Sequence, residues 1–61
     1  MTLSVVVART NIDGIEYLEE GARAVWTQLS DRAQHFESLR EATRVAMRLP
    51  SRLRAYALPL H

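Results

Sequence analysis

No cysteine occurs in this chain of 61 residues, so neither a disulfide nor a thiolate metal site can brace its fold. Lysine is also missing, and all eight basic side chains are arginine. Glycine is scarce, at Gly14 and Gly21 only, which excludes a glycine-rich phosphate loop. The longest apolar run, Val5-Val6-Val7-Ala8, falls far short of the roughly 18 residues needed to cross a bilayer, and no basic region leads into a signal-peptide core. These absences give the expectation of a soluble, cytoplasmic protein with no membrane partner.

Forty-eight per cent of the residues are hydrophobic and 25% are charged, the composition of a globular chain and not of a disordered one. Residues 1–61 are read as one small domain. A domain of this size buries only about 60% of its unfolded surface. Without disulfide or metal, association with a second copy is the expected source of further burial. The net charge of +1 conceals an asymmetry. Residues 1–31 set Arg9 and Arg23 against Asp13, Glu16, Glu19, Glu20 and Asp31; residues 32–61 set six arginines against Glu37 and Glu41.

Along the chain, Leu3 to Arg9 reads as a strand, since its three consecutive valines lose rotamer freedom in a helix. Thr10-Asn11-Ile12-Asp13-Gly14 reads as a turn. Ile15 to Leu29 admits two readings. On a helical wheel Ile15, Leu18, Ala22, Val25, Trp26 and Leu29 fall within roughly 100° of arc. Glu19 and Arg23 stand four apart in the favourable order. The alternative is a β-hairpin, with Tyr17-Leu18-Glu19-Glu20-Gly21-Ala22 as a type I turn that puts Gly21 in a left-handed bulge position, and with β propensity in Val25-Trp26-Thr27. The helix accounts for more residues and is preferred at this level. Ser30 to Glu37 is a polar link holding one apolar residue, Phe36, placed either to pack back on the next helix or to end a short strand.

Ser38-Leu39-Arg40-Glu41 opens the clearest element. Ser38 can cap a helix and Glu41 stands at the capping-box spacing, while Pro50 ends the run by disfavouring helical geometry at Leu49. Leu39, Ala42, Val45, Ala46 and Leu49 form the apolar face of this helix, and Arg40, Arg44 and Arg48 recur on the other. Arg52 to Leu60 reads as a closing strand with Leu53, Ala55 and Ala57 on one side, Arg54, Tyr56 and Leu58 on the other, and Pro59 marking an edge. The expected fold is therefore α+β: a strand–helix–helix–strand domain with two helices on one face of a sheet that a homodimer completes. The alternative puts a β-hairpin in place of the first helix and packs one helix on a small antiparallel sheet.

Chemistry is thinly represented. Glu16, Glu19 and Glu20 suit a solvated face better than a catalytic cleft, and His35 and His61 are the only imidazoles. No catalytic, cofactor-binding or metal-binding residues are assigned, and the chain is expected not to be an enzyme. The candidate contact residues are Arg40, Arg44, Arg48, Arg52 and Arg54, suited to an acidic protein surface or to phosphates. The order strand, helix, capped helix, with Ser38-Leu39-Arg40-Glu41-Ala42-Thr43-Arg44 opening the last of these, resembles the ribbon-helix-helix DNA-binding family over about residues 3–49. That resemblance implies dimerisation through a ribbon, Leu3 to Arg9, that reads the major groove; few polar side chains stand there, and the family has no closing strand like Arg54 to Leu58. The leading expectation is a small accessory or regulatory protein acting through protein contacts and self-association; the second is a dimeric nucleic-acid-binding regulator that uses the arginine-rich helix.

Overall fold

The computed structural model describes residues 4–21 and 25–60. Strand β1 (Ser4–Asn11) turns through Ile12 and Asp13 into β2 (Gly14–Leu18). Asn11 faces Gly14 across this hairpin and its Oδ1 accepts the Asp13 N–H at 2.9 Å. Gly14 has φ 121°, a backbone conformation that side-chain-bearing residues rarely adopt. A two-residue strand, β3 (Trp26–Thr27), pairs with the outer edge of β2. Helix α1 (Leu39–Arg48) and strand β4 (Tyr56–Leu60) complete the order, with 3-10 turns at Ser30–Arg32 and Ser51–Leu53. The sheet is antiparallel, ordered β3-β2-β1-β4, so the valine strand lies in its interior.

Residues 15–29 thus follow the hairpin alternative; the preferred helix is corrected, and α1 is the one α-helix among the described residues. Two backbone constraints override the helical periodicity. Gly21 has φ 148°, outside helical geometry, and the Glu19 N–H donates to the Val25 carbonyl at 2.8 Å, drawing the two arms together. Ala22 and Arg23, used in the helical reading, lie outside the described residues, as do Leu3 and His61. Phe36 exchanges backbone hydrogen bonds with Val5, at 3.1 and 2.7 Å, and Gln34 N–H donates to Leu18 O at 2.9 Å. The link therefore bridges β1 and β2 as an extended segment.

Alternation along the strands sorts the side chains into two faces. Val5 and Val7 share the α1-covered face with Leu18, and they form the core with Phe36, Ala42 and Ala46. Trp26, Val45, Leu49, Ala55 and Ala57 pack around it. Alanine at 42 and 46 lets the helix approach the sheet closely. Ser38 Oγ accepts the Glu41 N–H at 3.2 Å and caps the helix. Leu49 is already extended, with ψ 154°, as the following proline requires. The sheet reaches four strands within one chain, so the argument that a second copy must complete it loses its premise. The ribbon-helix-helix arrangement is also absent, because both edges of β1 are occupied within its own chain.

Candidate interaction surfaces

Arg40, Arg44 and Arg48 are exposed along α1. At about 100° per residue they centre roughly 180° from the buried Ala42 and Ala46. Arg52 lies in the turn that follows, and Arg54 caps that turn in the left-handed region, at φ 53° and ψ 41°. Both are exposed. The helix brings Arg40, Arg44 and Arg48 onto one exposed face, and Arg52 and Arg54 follow in the turn that leads to β4. Among the described residues the one ion pair is Arg9 with Glu16, so none of the five is paired there. Leu39 and Met47 are 50% and 80% exposed; Met47 falls at about the same angle around the helix as Arg40, and Leu39 at about that of Ala46.

The opposite face of the sheet carries no helix. Val6 and Ala8 point to it and are fully covered by their neighbours. Ile15, Tyr17, Thr27, Tyr56, Leu58 and Leu60 share this face by register. Ile15 and Tyr56 are 41% and 36% exposed, and the Thr10 and Tyr56 hydroxyls share a hydrogen bond of 2.9 Å. The sequence reading missed this face because the helical assignment of residues 15–29 removed β2 from the sheet.

A third cluster sits beyond the helix on the covered face. Arg9 Nε and Nη2 both lie 2.9 Å from Glu16 Oε1, and Asn11 Nδ2 donates to the same oxygen at 2.7 Å. The Arg9 guanidinium stands 4.5 Å from the centre of the Trp26 ring. These contacts tie β1, β2 and β3 together and use up the nearest acidic partner of Arg9. The available sequence signal was an arginine and a glutamate placed symmetrically about the Asn11–Gly14 turn.

Ser4 Oγ contacts His35 Nδ1, the one seryl–imidazole pair among the described residues. No third side chain hydrogen-bonds the imidazole there, and His35 is exposed. No group of three His, Cys, Asp or Glu side chains among the described residues is placed to hold a metal ion. No helix among them is long and apolar enough to cross a membrane. Comparison with protein-family models, curated proteins and solved structures gives no match.

Proposed function

We propose that this chain is a small, non-catalytic, cytoplasmic accessory or regulatory protein that works through protein contacts, the first of them with a second copy of itself. The observation that carries this reading is the helix-free sheet face. Its strand positions present aliphatic, aromatic and hydroxyl side chains and no charge: Ile15, Tyr17, Thr27, Tyr56, Leu58 and Leu60. A surface of this kind is matched by another uncharged, apolar surface, and a two-fold axis supplies one from an identical copy.

The β4 edge is a poorer contact than the face. Val5 directs its N–H and C=O to Phe36, away from β4, so its partner Pro59 faces outward. Proline has no N–H, so the open edge lacks a donor at that position. Twenty strand residues, at about 3.3 Å rise and 4.8 Å strand spacing, give a footprint of roughly 300 Å² per copy. Two such footprints fall below the roughly 1,200 Å² of a standard stable interface, which makes the contact weak and reversible.

Sedimentation equilibrium between about 10 μM and 1 mM tests this, the span over which weak association is populated. The weight-average mass rises from the 7.0 kDa monomer toward twice that value. Ile15→Lys places a charge on the face and keeps the chain monomeric, with an unchanged far-ultraviolet circular dichroism spectrum. A wild-type chain monomeric at every concentration, or an Ile15→Lys chain that associates equally well, refutes the proposal.

A further inference from the structure

We infer that the arginine face of α1 and the turn after it bind the phosphate backbone of a nucleic-acid duplex without reading base sequence. The arginine stripe of α1 points away from the sheet, on the side opposite its helix-free face, and the inference does not depend on self-association.

Three features set these arginines against the local needs of the fold. Arg40–Arg44 and Arg44–Arg48 are like-charged pairs four residues apart, a spacing at which repulsion weakens a helix. Arg40 stands in the first turn of α1, where the helix dipole disfavours a cation. Arg54 occupies a left-handed conformation suited to glycine or asparagine. None of the five gains an ion pair or side-chain hydrogen bond from the described residues. Arg48, in the last turn, suits the helix dipole, but the repelling pairs, the first-turn Arg40 and the strained Arg54 are the kind of local cost expected where an external partner uses the residues.

The geometry fits phosphates better than an acidic protein. Successive helix arginines are separated by a rise of about 6 Å, close to twice the 3.4 Å axial spacing of charges along one strand of a duplex. Guanidinium groups bind phosphate oxygens in a bidentate manner. Protein contacts centre on a cluster of apolar anchors, but the arginine stripe has a single exposed apolar side chain, Met47, at its edge. A single strand is disfavoured because Tyr17, Trp26 and Tyr56, the aromatic groups not buried in the core, belong to the two faces of the sheet and not to this surface. Besides its arginines, the exposed surface of α1 carries only Glu41 and Thr43 as hydrogen-bonding side chains, too few to read base edges, so it positions on phosphates.

Fluorescence anisotropy with labelled 20-base-pair DNA and RNA duplexes of mixed sequence tests the inference. Five phosphate contacts give a slope of log K against log[salt] near −4.5, so affinity falls on the order of 500-fold between 50 and 200 mM salt. Arg44→Gln with Arg48→Gln makes the slope shallower by about 1.8, while circular dichroism confirms the fold. Binding to either duplex sustains the inference, and the tighter one identifies the source of the phosphates. A wild-type slope shallower than −2, an unchanged slope in the double variant, or equal competition by poly-glutamate at the same charge concentration overturns it. Sedimentation of the same variants reports self-association separately, so failure of one proposal is distinguishable from failure of the other.

Discussion

Replacing Arg54 by glycine should make the protein more stable. Arg54 has φ 53° and ψ 41°, close to the centre of the left-handed helical region. An L-residue with a β-carbon loses about 1–2 kcal/mol there. Glycine removes that penalty but adds freedom to the unfolded chain, which offsets about 0.4–1 kcal/mol. Side-chain losses are negligible, because the guanidinium is exposed and has no hydrogen bond or ion pair among the described residues. The Arg54 N–H donates to Ser51 O at 3.1 Å, and glycine retains this bond. The net expectation is a gain of about 0.5–1 kcal/mol, or roughly 3–6 °C in Tm for a chain of this size. Urea denaturation at fixed protein concentration measures it as a shift of midpoint with unchanged slope. Arg54→Ala is the decisive control: it removes the same charge and keeps the β-carbon, so it gains nothing. If the glycine variant is no more stable than the alanine variant, the backbone argument is wrong. If the arginine serves a duplex, both variants weaken duplex binding while only one stabilises the fold.

Two further substitutions probe the elements that position the surfaces. Ser38→Ala removes the acceptor for the Glu41 N–H and should cost about 1 kcal/mol in urea denaturation, whereas Glu41→Ala should cost less than about 0.5, since Glu41 contributes its backbone and not a side-chain bond to the cap. Arg9→Ala should cost about 1 kcal/mol through its partly buried ion pair and its contact with the Trp26 ring. Because Trp26 is the only tryptophan, the loss should also shift the emission of the folded protein; an unchanged spectrum would show that the ring does not feel the guanidinium.

The sequence was most legible where local signals agree. Helix α1 has a cap, a strong apolar periodicity and a proline stop, and it spans Leu39–Arg48, with Leu49 extended before the proline. The closing strand keeps its expected alternation, with Ala55 and Ala57 on the core and Tyr56 and Leu58 on the other face, although residues 51–54 form a turn instead of joining it. Arg40, Arg44 and Arg48 emerge on one face because they recur every four residues along α1. Residues 15–29 were misread for a different reason. Ile15, Leu18, Trp26 and Leu29 satisfy a helical period by spacing alone, but strand pairing depends on β1, which is distant in sequence. Leu18 turns out to be buried, whereas Ile15 and Leu29 are substantially exposed. Leu39 was likewise assigned to the apolar face and is half exposed, whereas Ala42 and Ala46 are buried.

The same run of residues explains why a fold with an internal sheet partner for every edge of β1 still has reason to associate. A strand with one covered face normally alternates apolar inward and polar outward. Val5 and Val7 meet that requirement beneath α1, but Val6 and Ala8 point the other way and are apolar as well. Tyr56 and Leu58, paired with Ala8 and Val6, close over them, and Tyr17 flanks Ala8 from β2. Apolar residues are therefore buried beneath residues that are themselves largely apolar, and the uncovered layer moves outward to Ile15, Tyr17, Tyr56, Leu58 and Leu60. Packing of α1 does not require any of these side chains, because they stand on the opposite side of the sheet. Their apolarity is consequently independent of the core that stabilises the monomer, and a charge placed among them should abolish association long before it unfolds the chain.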